Sequence, residues 1–284
     1  MIDDALGALL TPLGLALLGL CIGSFLNVVV HRLPLMMERA WKLESAEMLG
    51  VAAPDVAPLT LSKPASRCPH CGHRIRWYEN IPLLSWIALR GRCSACKAPI
   101  SARYPLVELA TGLLFAALAW RFPAQAPTFV WCGFVAALVA LALIDWDTTL
   151  LPDSITLPLL WGGLIAAALG WTGIALSTAV WGAVAGYLAL WSVYWLFKLT
   201  TGKEGMGAGD FKLLAALGAW LGWQMLLPIV LAASLLGAVV GIAMKFGGSL
   251  REGRYVPFGP FLAGAGLVVL YAGPERVRGW MGWA

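Results

Sequence analysis

Charge is what this chain has least of. Asp, Glu, Lys and Arg make up 12% of its 284 residues, about half the ~25% usual in a soluble domain. Hydrophobic residues reach 60% and the mean hydropathy is +0.78, which excludes an ordinary soluble enzyme and points to a membrane protein. Histidine is scarce too: only three are present, and two of them, His70 and His73, sit beside a Cys-x-x-Cys pair, so no Ser–His–Asp nucleophile set is expected. The opening Met1-Ile-Asp-Asp is acidic, whereas a cleavable signal peptide begins with a basic segment. No GK[ST] follows a glycine-rich loop and no GxGxxG follows a strand, so neither a nucleotide P-loop nor a Rossmann site is expected.

The apolar residues gather into about eight runs that read as membrane helices: Leu9–Val30, Pro105–Trp120, Thr128–Ile144, Ile155–Trp171, Ala175–Phe197, Phe211–Trp223, Met225–Met244 and Phe258–Tyr271. Phe211–Trp223 has only 13 residues and is expected as a tilted or partial span. Fifteen tryptophans fit, because Trp favours the membrane–water interface. Between the first two runs lies a polar stretch, His31–Tyr104. It carries eleven of the twenty Lys and Arg, and the positive-inside rule makes it cytoplasmic. The net charge of +5 therefore reflects topology rather than nucleic acid, which is not expected as a partner. Alternating from there, both termini lie outside; Arg276 and Arg278 in the tail oppose this mildly. The expected fold is an all-α polytopic membrane protein of about eight transmembrane helices, with a small cytoplasmic module between helices 1 and 2. Its expected parts are a first helix (1–30), a cytoplasmic domain (31–104) and a seven-helix membrane domain (105–284). Within the polar stretch, Met36–Leu49 reads as a separate amphipathic helix and Gly50–Pro64 as a loop.

That module contains Cys68-Pro-His-Cys71, 21 intervening residues, and Cys93-Ser-Ala-Cys96. Two such knuckles can place four thiolates tetrahedrally around Zn²⁺, and a reducing cytoplasm disfavours two structural disulfides. Cys68, Cys71, Cys93 and Cys96 are expected as ligands of a structural zinc, which supplies folding energy to a segment too short to bury much apolar surface. His70 and His73 are then left exposed. Cys21 and Cys132 stand alone in apolar runs and read as small buried hydrophobes.

Few carboxylates fall near the membrane helices, and ionisable groups there are functional by default. Asp145 and Asp147 end one run, Asp153 opens the next, and Asp210 closes Gly205-Met-Gly-Ala-Gly-Asp210. The topology brings Asp145 and Asp210 to one boundary although 65 positions separate them. Two carboxylates held close share a proton. The ionised partner activates water, and the protonated one hydrogen-bonds a peptide carbonyl. Gly205, Gly207 and Gly209 are expected to form a substrate loop, adopting φ > 0 and letting the backbone approach a peptide closely. Asp210 should start the next helix. Asp147 and Asp153 are given supporting roles, and Glu108 an interfacial or packing one. The rival reading is an ion or solute transporter, which also uses intramembrane aspartates and glycine-broken helices.

These residues, in this order, resemble the bacterial type IV prepilin leader peptidase family. The resemblance runs from Gly23-Ser-Phe-Leu-Asn-Val-Val-Val-His-Arg-Leu-Pro34 through Cys68–Cys71, Glu79-Asn-Ile-Pro82, Cys93–Cys96 and Arg103-Tyr-Pro-Leu-Val-Glu108. It continues with the Asp145 turn and Leu151-Pro-Asp153, Gly205–Asp210 and Pro257-Phe-Gly-Pro260. It implies an aspartic peptidase with Asp145 and Asp210 catalytic, placed in the bacterial inner membrane. The implied substrates are precursors of type IV pilins and of type II secretion pseudopilins, cut at the cytoplasmic face. It further implies N-methylation of the new amino terminus with S-adenosylmethionine. No residue pattern here locates the methyl-donor site; the module near Glu79, Asn80 and the zinc knuckles is the expected place.

Overall fold

A run of apolar residues entering a membrane must satisfy its backbone hydrogen bonds internally, and helices do this. The computed structural model describes residues 7, 9–52, 57–123, 125–247 and 256–283. Its described residues are helical throughout their apolar runs, with isolated β-bridges but no strand. The acidic first residues, part of the Gly50–Pro64 loop and most of the segment after Lys245 lie outside the described residues. The chain divides into two compact units, Met1–Thr128 and Phe129–Ala284.

The first unit is built on α1 (Pro12–Met48) and α3 (Arg103–Arg121). Thr11 caps α1, its hydroxyl accepting the Gly14 N–H at 3.1 Å, and Pro12 occupies the first turn, where its missing N–H costs nothing. The helix does not stop at Val30, and Met36–Leu49 is not a separate element: both belong to one helix of 37 residues. Pro34, buried within it, forfeits one backbone hydrogen bond. The Met-Met-Glu-Arg-Ala-Trp-Lys-Leu run beyond it is rich in strong helix formers and carries the helix on. At 1.5 Å per residue α1 is about 55 Å long, well beyond the ~30 Å of a bilayer core, so a bilayer would cover only about half of it. In its second half Lys42 pairs with Glu38 at 2.7 Å, and Arg32 donates to the Thr60 carbonyl at 3.0 Å, tying the following loop to the helix.

α1 and α3 touch through glycine. A Cβ on Gly19 would fall 2.7 Å from the Thr111 carbonyl oxygen, and one on Gly23 would fall 2.8 Å from the Glu108 Cα. This is the small-xxx-small contact that lets membrane helices pack backbone to backbone. Between the two helices in sequence lie the zinc-knuckle segment and the short helix α2 (Leu84–Ala88).

The second unit holds α4 (Pro127–Thr148, which begins in the last residues of the first), α5 (Asp153–Ala168), α6 (Leu176–Thr201), α7 (Ala208–Leu221), α8 (Leu226–Phe246), α9 (Gly259–Ala272) and α10 (Pro274–Trp280). Its centre is α7. Every residue from Asp210 to Trp220 is buried except Lys212, the pattern of a helix surrounded by others. Trp220 packs on Trp131 and Phe134 of α4, with ring centroids at 5.1 and 4.8 Å, and its indole donates to the Leu159 carbonyl of α5 at 2.7 Å. Against α6 the approach is closest: Gly182 and Gly218 face each other, leaving no room for a Cβ on either. Four helices are long and apolar enough to cross a membrane: α1, α4, α6 and Trp223–Phe246, which includes α8. The helices α5 and α9 are apolar but shorter.

Candidate active site and metal centre

The two aspartates singled out by sequence come together. Asp145 lies in the last turn of α4 and Asp210 in the first turn of α7, and both are buried, at 5% and 7% exposure. One backbone hydrogen bond and one shared side chain frame them. The Gly259 N–H, at the start of α9, donates to Asp145 Oδ2 at 2.9 Å. Leu151 lies against both Gly259 and Gly209: a Cβ on Gly259 would be 3.2 Å from its Cδ1, and one on Gly209 would be 2.7 Å from its Cβ. Gly209 immediately precedes Asp210. The carboxylates are close enough for charge repulsion to act between them. Asp210 Oδ1 is buried and has no hydrogen-bond partner among the described residues. Buried polar atoms are satisfied in the great majority of cases, so an exception marks a place built to receive something else.

The glycine loop works differently from the expectation. None of Gly205, Gly207 and Gly209 has positive φ; that conformation belongs to Gly202 (φ 69°), which ends α6. Gly205 and Gly209 are glycine because a Cβ would strike Phe197 at 2.8 Å and Leu151 at 2.7 Å, whereas Gly207 faces open space. The helix begins at Ala208 with Gly207 as its cap, so Asp210 sits in the first turn rather than at the start. A carboxylate there is favoured by the helix dipole.

The neighbouring acids separate cleanly. Asp153 forms a two-pronged ion pair with Lys212 of α7, both oxygens at 2.7 Å. Asp147 is exposed. The motifs Pro257-Phe-Gly-Pro260 and Leu151-Pro-Asp153 contain Gly259 and Leu151, and Lys212 follows Asp210 by two positions, but the sequence gives none of the three a task. The glycine's signal was its place beside two prolines at a helix start, where only a bare N–H fits under a carboxylate.

In the first unit the four cysteines converge, with all four Sγ atoms within 4.8 Å of one another. Cys68–Cys96 and Cys71–Cys93 are 3.8 and 4.0 Å apart. A tetrahedral zinc with Zn–S near 2.3 Å requires sulfurs about 3.8 Å apart, so the cluster fits the metal. The knuckles are two copies of one turn. Cys68 N–H donates to His73 O and Cys93 N–H to Ala98 O, at 2.9 and 2.8 Å, and a bridge closes each turn, Arg67 to Arg74 and Arg92 to Pro99. Gly72 and Lys97 stand at equivalent left-handed positions, φ 70° and 61°. Backbone N–H groups of Cys71 and His70 pull the Cys68 thiol down to about 7, and those of Cys96 and Ala95 pull Cys93 down. For Cys71 the His73 N–H acts the same way but is outweighed by burial and by hydrogen bonds to the other three thiols, which push it up to about 12. A shared metal cation removes that competition by favouring every thiolate.

His70 is exposed as expected, but His73 is not. Its Nε2 lies 3.3 Å from Glu79 Oε2 and 3.3 Å from Ser94 Oγ. Glu79 also accepts the Arg76 N–H at 2.8 Å. That bond first, then those from Ser94 and His73, holds its carboxyl down at about 2. These residues line a groove of about 530 Å³, within the ~300–1,000 Å³ range of small-molecule sites. Asn80, the other expected residue, ends the same turn and is exposed. Glu108 is buried, and its carboxylate accepts the Leu83 N–H at 2.8 Å. Leu83 is held at φ 59°, a strained conformation for leucine, so Glu108 ties the end of the Glu79 loop to α3.

An all-helical chain with four helices long and apolar enough to cross a membrane, two buried aspartates and a four-cysteine cluster that could hold a metal ion has the features of a membrane-embedded peptidase. The comparisons narrow the class. The description "Type IV leader peptidase family" matches residues 132–242, and "Bacterial Peptidase A24 N-terminal domain" matches residues 17–122. Three relatives carry the name prepilin leader peptidase/N-methyltransferase. That of Stutzerimonas stutzeri is 55% identical over 94% of this chain and 92% of its own. That of Pseudomonas aeruginosa is 54% identical over the same shares, and that of Aeromonas hydrophila is 54% identical over 92% and 91%. The chain belongs to the type IV leader peptidase family. No solved structure matches it.

Proposed function

We propose that this protein cleaves the leader from type IV prepilins and type II secretion pseudopilins with Asp145 and Asp210 as its catalytic pair, and then N-methylates the new amino terminus. The observation that carries the peptidase reading is the meeting of two buried carboxylates, one held by the Gly259 N–H and the other with a buried oxygen that no donor among the described residues satisfies. In such a pair one carboxylate takes a proton from water as the oxygen attacks the scissile carbonyl. The other donates a hydrogen bond to the carbonyl oxygen and returns a proton to the leaving amine. Gly205, Gly207 and Gly209 form the loop beside which the extended substrate lies. Gly207, with open space where a side chain would be, is the loop glycine whose backbone a substrate can approach. The transporter reading has no support among the relatives.

Eight helices, α1 and α3 to α9, cross the bacterial inner membrane. The segment after α1 and the Asp145 and Asp210 ends face the cytoplasm, and both termini face the periplasm. In this reading residues 31–104 are the cytoplasmic domain and 105–284 the membrane peptidase domain. Zn²⁺ on Cys68, Cys71, Cys93 and Cys96 is structural, because four thiolates leave no open position. S-adenosylmethionine supplies the methyl group.

The test is cleavage of a purified prepilin in detergent. Wild-type protein cuts it. Asp145→Asn and Asp210→Asn each lower the rate by at least a thousandfold while remaining folded and inserted, since an amide cannot exchange the required proton. Asp147→Asn and Asp153→Asn lose tenfold or less. Substantial cleavage by either of the first two variants removes that residue from the mechanism.

A further inference from the structure

The turn Trp77–Asn80 and the five-residue helix α2 carry apolar side chains that the first unit leaves uncovered. Trp77 is 81% exposed, Leu84 66% and Ile87 63%. A spacing of three puts Leu84 and Ile87 on one side of α2. Trp86 takes the inner side: its indole donates to the Ile100 carbonyl at 3.3 Å, and its ring stands 2.9 Å from where a Cβ on Gly91 would be. The charge around this apolar side has one sign. Residues 57–103 hold eight Lys and Arg but one acid, Glu79. The Glu79 side chain is 9% exposed and is taken up by the Arg76 N–H and His73, whereas Arg74, Arg76, Arg90 and Arg92 are exposed. The depth of α2 is set by the long helices. Leu83, which precedes α2, donates its N–H to Glu108 in the second turn of α3 at 2.8 Å. The Asn27 amide of α1 donates to the Tyr104 carbonyl in the first turn of α3 at 3.1 Å. Charge begins on α1 one turn after Asn27, at His31 and Arg32, and the apolar run of α3 begins at Pro105. The uncovered side chains of α2 therefore start at the level where the two long helices change from polar to apolar surroundings.

We propose that the segment Trp77–Arg92 is an interfacial anchor: Leu84 and Ile87 enter the headgroup–acyl boundary of the bilayer that α1 and α3 cross, and the exposed arginines around them bind the phosphates of acidic phospholipids. The proposal rests on the reading of α1 and α3 as membrane-crossing helices. Apolar side chains on an element lying in the membrane plane reach roughly 5–10 Å into that boundary, and an exposed tryptophan favours the same layer. Positive charge without exposed acids complements an anionic lipid surface, and arginine can extend its stem along apolar surface while its head stays with the phosphates. A helix of five residues is too short to hold a membrane alone. It need not do so, because α1 and α3 already keep it at the surface, and contacts made within one molecule act at high effective concentration. Each side chain has only to outcompete water at a place where it is already held. The anchor gives the zinc module a fixed height over the bilayer, with Leu83–Glu108 as the tie to α3 and Leu84 and Ile87 as the tie to lipid.

The experiment uses full-length, zinc-loaded protein in lipid nanodiscs of a fixed mixture of neutral and acidic phospholipid. A fluorescent amino acid is placed at one position at a time: Leu84, Ile87, Leu113 on the exposed side of α3, and Met48 at the far end of α1, roughly 30 Å along the helix from Asn27. Quenching is read with lipid brominated on the acyl chain near the headgroup. We expect probes at 84 and 87 to be quenched at least half as strongly as the probe at 113, and the probe at 48 to be unaffected. With the bromine carried only by the acidic lipid, quenching at 84 should be at least twofold stronger than with the same amount carried only by the neutral lipid. Arg90→Gln together with Arg92→Gln should reduce that ratio towards one with one zinc per chain retained. If the pair loses zinc, the exchange of label between the two lipids in the unsubstituted surroundings decides. Equal quenching by the two lipids there overturns the acidic-lipid contact. Probes at 84 and 87 that escape quenching while 113 is quenched overturn the anchor and keep α3 as a crossing helix, whereas an unquenched 113 overturns both. Probes at 84 and 87 shielded from brominated lipid and from aqueous acrylamide alike would assign the face to a protein partner and overturn the proposal.

Discussion

At the residue scale, the Asp145 carboxylate rests on the backbone of Gly259, whose N–H donates to Oδ2 at 2.9 Å. Asp145 and Asp210 were legible because carboxylates are so rare in the apolar part of the chain that each demanded a reason. Their neighbours Gly259, Leu151 and Lys212 carry no such signal: a glycine, a leucine and a lysine are ordinary until their contacts are known. Gly259 makes the most pointed prediction. A Cβ there would lie 2.5 Å from Asp145 Oδ2, below any tolerated contact, while the N–H that serves the carboxylate would remain. Gly259→Ala should therefore push the Asp145 side chain aside and slow prepilin cleavage at least tenfold, about 1.4 kcal/mol in the barrier, although no acid is removed. A cleavage rate within twofold of wild type would show that the Gly259 contact is incidental. The Asp153–Lys212 pair should matter less. Asp153 is half exposed, and pairs of this kind contribute roughly 0–1 kcal/mol.

At the element scale, the helices were largely legible and their ends were not. Hydropathy located all eight apolar runs, since a run of that composition has few alternatives. It placed a break at His31 because charge begins there. Charge changes the solvent a helix meets, not its backbone, and α1 continues for another turn after turn through Pro34. The knuckles were legible for the opposite reason: metal ligation fixes spacing in the sequence itself. Their internal repetition was hidden, because Gly72 and Lys97 share a conformation and not an identity. The zinc prediction belongs here. One Zn²⁺ per chain is expected by metal analysis. Cys93→Ser replaces a buried thiolate by a poor ligand, and structural zinc contributes roughly 10–16 kcal/mol to small domains. The variant should lose its metal and expose 57–103 to limited proteolysis, while α1 and α3, packed through Gly19 and Gly23, resist. Strong chelators should reproduce the effect. Wild-type protein that carries no zinc when prepared without chelator, with all four thiols freely titratable, would dismiss the metal.

At the scale of the whole molecule, the question is how many helices cross. By length and composition four helices can cross; the proposed eight depends on the shorter ones. The critical case is α7. Its 14 residues span about 21 Å, short of a ~30 Å hydrocarbon core, and a helix exposed to lipid at that length would be mismatched. But α7 meets little lipid, because nearly all of it is buried among α4, α5, α6 and α9. Its ends need only reach positions where the polar atoms around Asp210 and Gly222 are served by protein or water, and irregular backbone is tolerated at membrane depth when buried in this way. Parity then becomes measurable. If all eight cross, the C-terminus lies on the side opposite the basic segment between α1 and α3. A phosphatase fused after Ala284 should be active in the periplasm of intact cells, and one inserted after Thr60 should be inactive. An inactive C-terminal fusion would mean an odd number of crossings, and α7 or α9 (also 14 residues) would be the helix to reassign. The tail makes this a demanding test, since Arg276 and Arg278 favour the cytoplasmic side by charge. Eleven basic residues beside α1 and α3 oppose two in the tail, and the larger bias should set the orientation.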